Sequence, residues 1–95
     1  MGGYNGEYVL VNVTEQFARI LLPDMIANAG GCTCEKCKLD VLALTLNCFG
    51  GSYVTLKSGE DAEEAAKMRI TDSEHIEIMQ ALARSIDFVR SSPRH

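Results

Sequence analysis

Three of the chain's four cysteines fall within six residues, Cys32-Thr33-Cys34-Glu35-Lys36-Cys37, and run directly into a leucine-rich stretch from Leu39 to Leu46. Thiols at this spacing suit a tetrahedral thiophilic ion such as zinc, because a chain turning into the start of a helix brings all three sulfurs to one point. The positive end of the helix dipole also favours thiolate over thiol there. Two bland readings stand beside metal binding: reduced structural thiols and redox chemistry. A fourth ligand is not evident. Cys48 lies eleven residues beyond Cys37, about 16 Å along a continuous helix, too far to share the ion. His75, Cys48 of another subunit or water are the alternatives, and His75 also reads as a satisfied, partly buried histidine.

Elsewhere no reactive constellation stands out. There is no His-Glu-x-x-His, no Gly-x-Ser-x-Gly and no phosphate-cradling loop, so the chain is not expected to be an enzyme. Thirteen acidic residues against nine Lys and Arg give a formal charge of -4, which disfavours duplex DNA as a partner. No apolar run approaches a membrane span and no basic segment precedes an apolar one near Met1, so a cytoplasmic location without membrane association is expected. In that compartment, clustered cysteines point to metal or redox use before disulfides.

The elements that must position the thiols are mostly helical. Asn12-Val13-Thr14-Glu15 has the form of a capping box and opens a first helix. Pro23 is expected to kink or interrupt it before Gly30-Gly31 ends it. A second helix is predicted over residues 35–47, with Leu39, Val41, Leu42, Leu44 and Leu46 around most of its circumference, hence buried on nearly all sides. Lys36, Asp40 and Asn47 escape that pattern and fall within about 40° of one another, with Ala43 between them. Tyr53-Val54-Thr55-Leu56 reads as a short extended segment, too short and isolated to form a sheet unless another chain or hairpin pairs with it. Residues 58–70 read as a weakly amphipathic arm or surface helix. Thr71-Asp72-Ser73-Glu74 is a second capping box, opening a helix to about residue 90 before Pro93. That helix carries apolar residues over well over half its circumference, enough for two neighbours, one of them another subunit. The expectation is one mainly α domain over residues 1–95, about four helices with a short extended segment, and homodimeric, since 95 residues make a small core.

The run from Cys32 to Asn47, with Tyr53-Val54 after it, Asn12 and Glu15 before it and Pro93-Arg94-His95 at the end, closely resembles the late-competence ComFB family. The resemblance implies a small helical homodimer with a bacterial regulatory role, a zinc-associated cluster at Cys32, Cys34 and Cys37, and binding of a cyclic dinucleotide second messenger. The chain departs from the family at Gly50-Gly51, where proline often precedes the tyrosine. A cyclic dinucleotide has two-fold symmetry, so a symmetric dimer presents each residue to it twice. Guanine calls for Arg or Asp at its edges and for stacking, and the phosphates for Lys, Arg or helix N-termini. Arg19, Lys36, Asp40, Asn47, Tyr53 and Arg69 have that chemistry. Against it, Asp40 and Asn47 could serve buried backbone, Lys36 and Arg69 could be solvated charges, and Tyr53 a core residue. The expected function is a receptor for cyclic di-GMP in preference to cyclic di-AMP, relaying to an unknown protein effector. The alternative is a zinc-stabilised interaction adaptor with no nucleotide ligand, linked to competence or DNA uptake.

Overall fold

The computed structural model describes residues 7–91. In chain order it comprises β1 (Tyr8–Asn12), α1 (Val13–Asn28), α2 (Glu35–Leu46), β2 (Tyr53–Lys57), α3 (Ala62–Arg69) and α4 (Asp72–Ser91). Pro93, the expected stop for the last helix, lies outside the described residues.

α1 starts where its cap says. The Asn12 side chain accepts from the Thr14 and Glu15 amides at 3.1 and 3.4 Å, satisfying two donors that the first turn leaves open. The box is only half made, because the Glu15 carboxylate pairs with Arg19 at 2.9 Å while Asn12 is engaged in the strand ladder. The expected interruption at Pro23 does not occur: α1 runs unbroken through it. Pro23 is exposed, whereas Leu22 and Ile26 on either side of it are buried. An interior proline costs about 3 kcal/mol, and burying two such side chains returns about 3 to 6 kcal/mol, so packing decides. The helix ends in a Schellman turn. Gly30 takes φ +71°, its amide donates to the Ala27 carbonyl at 3.1 Å and that of Gly31 to Ile26 at 2.9 Å, and the left-handed backbone is what glycine supplies.

α4 is the central support, lying against both α1 and α2 while α3 covers α1. Its buried residues Ile78, Leu82, Ile86 and Val89 recur at helical spacing and meet Phe17, Leu22 and Ile26 of α1 and Val41 and Leu42 of α2 in one core. Thr71 completes the second capping box in full: its hydroxyl accepts from the Glu74 amide at 3.1 Å and its amide donates to the Glu74 carboxylate at 2.9 Å. α3 begins on Asp61, which accepts from two amides, and buries Ala65 and Ala66, so the segment is a docked helix rather than an arm.

Two expectations need correction. The segment at Tyr53 is not isolated, because β2 pairs antiparallel with β1, with Val9 opposite Leu56 and Val11 opposite Val54. Leu56 is buried and Tyr8, Leu10 and Tyr53 on the other face are exposed, but Val9, which faces Leu56 across the ladder, is also 44% exposed, so the pleat alternation is followed only in part and the covered face is incomplete at this end of the sheet. Nor is α2 buried on nearly all sides within one protomer. Cys37, Val41, Leu42 and Thr45 are buried, but Leu39 is 46% exposed and Leu44 and Leu46 are partly exposed.

The seam between α2 and α4 holds one buried polar contact, in which the Thr45 hydroxyl donates to the Ser85 hydroxyl at 3.0 Å. Removing either partner strands the other and should cost about 1 to 3 kcal/mol. Urea unfolding of Thr45→Val, Ser85→Ala and the double variant is expected to show a double-variant loss clearly smaller than the sum of the two single losses.

Candidate functional site

The thiol cluster sits at the junction of α1 and α2. The Schellman turn carries the chain out of α1, and Gly31 then passes so close to its neighbours that a Cβ there would meet Ile26 Cγ1 at 3.0 Å and Arg90 Cγ at 3.6 Å. That passage delivers Cys32 beside the end of α4. Cys34 caps α2, its sulfur accepting from the Cys37 amide at 3.4 Å. This N–H···S contact and the helix dipole both stabilise negative charge on sulfur.

The three Sγ atoms lie within 4.8 Å of one another. Cys32 and Cys34 are exposed and Cys37 is buried, so the cluster has a solvent side and a protein side. Behind it is a cavity of ≈ 260 Å³ whose lining includes Ile26, Val41 and Ile86 together with Cys32, Cys37 and Arg90. Without a metal, burial pushes the Cys37 thiol up from 9.0 to about 12, and hydrogen bonding and charge repulsion from Cys32 and Cys34 push the same way. The three thiols have the donor set and proximity to hold a metal ion, which must displace protons to bind.

His75 cannot complete the set from within the chain. Its ring stands edge-on to Phe17 at 5.0 Å between centroids, near the start of α4, whereas the cluster lies against Arg90, about 22 Å further along the helix at 1.5 Å per residue. Cys48 is also elsewhere. Its thiol donates to the Leu44 carbonyl at 3.5 Å, and it lines a different hollow with Ala81 and Phe88.

The polar candidates divide into a group of three on α2 and three residues on other elements. Lys36, Asp40 and Asn47 stand on one face of α2: Lys36 and Asn47 are exposed and Asp40 is half-buried. Lys36 Nζ pairs with Asp40 at 2.9 Å, and Asn47 is the C-cap residue of α2. None of the three side chains serves buried backbone. Tyr53 opens β2 and is 60% exposed, and a Cβ on Gly51 would come within 2.5 Å of its ring. Arg19 is on α1, beside Glu35 and Leu39 in a cleft of ≈ 170 Å³. Arg69 is on α3 and donates to the Ala65 carbonyl at 3.3 Å. What sequence reasoning missed is the cavity behind the thiols. Its walls come from the ends of three helices, and no spacing along one segment signals that.

A raised thiol pKa has a stability consequence with a definite sign. The folded metal-free protein holds the Cys37 proton more tightly than the unfolded chain, so this contribution is complete below about pH 9 and is lost as pH rises towards 12. Chemical denaturation of metal-free protein should show stability falling across that window, and Cys37→Ala should flatten the fall.

No curated protein sequence matches the chain. Among solved structures, the late competence protein ComFB from Bacillus subtilis superposes with a TM-score of 0.68 at 29% sequence identity, covering 90% of this chain and 96% of that one. The family model described as late competence development protein ComFB matches residues 11–93, a span that takes in the end of β1, the thiol cluster, the polar face of α2 and α4, and the chain belongs to the ComFB family.

Proposed function

We propose that the protein is a cytoplasmic receptor for a cyclic dinucleotide, cyclic di-GMP in preference to cyclic di-AMP, which it binds as a homodimer and reports to a protein effector. The observation that carries this reading is the polar face of α2. Lys36, Asp40 and Asn47 are aligned on the face of α2 away from its buried residues Cys37, Val41, Leu42 and Thr45, where Lys36 and Asp40 pair with each other. Such a row of solvent-facing polar groups offers contacts that a ligand with phosphates and base edges can use.

Each residue has a role its chemistry fits. Lys36 neutralises a phosphate as a compact charge. The Asp40 carboxylate accepts from the N1 and N2 hydrogens of guanine, which adenine does not offer, and this is the reason for preferring the guanine form. Asn47 reaches a base edge with one donor and one acceptor, and the exposed Tyr53 ring offers a stacking surface. The Lys36–Asp40 pair is no obstacle, since an exposed pair one turn apart is worth only about 0.3 to 0.5 kcal/mol. Arg19 and Arg69 stand away from this face and are assigned to outer phosphate contacts in the dimer.

Zinc is the ion the cluster suits. Thiolates at about 2.3 Å in a tetrahedron stand about 3.8 Å apart, and sulfurs within 4.8 Å need only a small contraction to reach that. Cys32, Cys34 and Cys37 would hold the ion, and its service is structural: it ties the α1–α2 connection to the first turn of α2. The cluster suits a zinc-stabilised adaptor equally well, so the cysteines do not choose between the two readings.

Calorimetric titration with cyclic di-GMP and, separately, cyclic di-AMP tests the proposal. Saturable heat is expected with cyclic di-GMP, and Asp40→Ala or Asn47→Ala should weaken it by about 1 to 3 kcal/mol without lowering the melting temperature. No heat and no thermal shift with either nucleotide sinks the receptor and leaves the adaptor. Chelation is expected to lower the melting temperature of the native protein but not that of Cys37→Ser, because metal affinity here is folding free energy.

A further inference from the structure

We infer that Cys34 and Cys37 form a redox-active dithiol that hydrogen peroxide closes to a disulfide, and that closing it strips the metal of two of its three thiolate donors. The dithiol stands on the described geometry alone, whereas the release of metal rests on the reading of the cluster as a zinc centre. Cys34 is the N-cap residue of α2 and Cys37 lies in its first turn. Cα atoms three apart at a helix start stand about 5 Å apart, inside the range of about 4.4 to 6.8 Å that a disulfide bridges. The sulfurs already lie within 4.8 Å of one another, so bond formation calls for side-chain rotation and no new backbone path. Cys32 precedes the helix, in the connection from α1, so helix geometry fixes the spacing of Cys34 and Cys37 alone.

Exposure divides the labour between the two thiols. Cys34 is exposed, whereas Cys37 is buried at 1%. Oxidant arriving from solvent meets Cys34 first, and the Cys37 amide holds that sulfur in place at 3.4 Å. The Cys34 sulfur attacks one peroxide oxygen, the O–O bond breaks, and water leaves with the Cys34 proton, giving a sulfenic acid. The Cys37 sulfur, shielded from the oxidant, then attacks the Cys34 sulfur. The S–O bond breaks, the S–S bond forms, and the hydroxyl leaves with the Cys37 proton as a second water. One peroxide is reduced to two waters and the dithiol loses two electrons.

The same two sulfurs are the ones a metal needs. With the disulfide closed, Cys32 is the only thiolate left in the cluster, and a lone thiolate falls short of the ligand set of a structural zinc site. Oxidation and metal binding therefore exclude one another. Cys48 is exposed as well, but it lies outside the cluster and lines a different hollow.

The test uses the full-length chain carrying Cys48→Ser, treated with hydrogen peroxide in metal-free and zinc-loaded form. Metal-free protein is expected to lose two thiols and two hydrogens in mass. Its tryptic map should join the peptides on either side of Lys36, which lies between the two cysteines. Cys32→Ser should form the same link, and Cys37→Ser should stop at a Cys34 sulfenic acid that dimedone traps. Zinc-loaded protein should release its metal to a chromogenic chelator as the link forms, and dithiothreitol with added zinc should reverse both changes. Survival of the three thiols in metal-free protein, or a bond from Cys32 in place of the Cys34–Cys37 link, overturns the dithiol. Zinc retained after the link has closed overturns the release. Native protein that carries no zinc overturns the metal reading and the release together, and the metal-free oxidation still decides the dithiol by itself.

Discussion

The fold depends on one buried stripe, Ile78, Leu82, Ile86 and Val89 of α4, shared between two helices that otherwise meet only lightly. Because α1 and α2 both rest on it, the link between them must turn back sharply at the end of α4. The Schellman turn at Gly30 and the close passage of Gly31 under Arg90 meet that demand. A side chain at Gly30 would sit in a left-handed backbone that only glycine takes without strain, and one at Gly31 would press on Ile26. The thiols thus fall where they do because the chain has little other room to pass from α1 to α2.

How far this was legible in the sequence depended on how local the cause was. Asn12, Thr71 with Glu74, and the start of α2 were readable because a cap and its amides lie within three residues of one another. Pro23 misled because the local cost of a helical proline is real, and only the burial of Leu22 and Ile26 by distant partners outweighs it. β1 left no trace, since five residues near the start of the chain acquire a strand's meaning only from β2, which follows about forty-five residues later. The proximity of the thiols and the polar face of α2 were visible in spacing alone. The apolar circumference of α2 was visible too, but spacing does not tell which leucines a single protomer covers.

Exposure of Leu39 on α2 and of Ile76 and Phe88 on α4 is where the protomer departs from its own pattern. Stepping about 100° per residue puts Ile76 and Phe88 on opposite flanks of the buried stripe, so they do not form one face. Phe88 instead borders a hollow with Leu44, Cys48 and Ala81, which joins the open side of α2 to α4. At the same stepping, Leu39 lies about 60° to one side of Lys36 and Leu44 about 40° to the other side of Asp40, so the open face of α2 divides into a polar stripe and apolar flanks, the flanks costly to leave in water and the stripe costly to bury without partners.

That division links the metal centre to the polar face mechanically. Lys36 sits between Cys34 and Cys37, inside the first turn of α2, so an ion drawing the three sulfurs together fixes the start of the stripe that continues through Asp40 to Asn47. A rigid helix transmits the placement along its length without further contacts. The coupling is bounded by thermodynamics: metal and nucleotide influence one another only as far as each prefers one arrangement of this first turn over another. With the turn already formed around the Cys34 cap, that difference is small, and the ion's larger effect is on stability. On the proposed reading, the nucleotide signal must then arise where the ligand meets two copies of α2, and not from any change at the thiols.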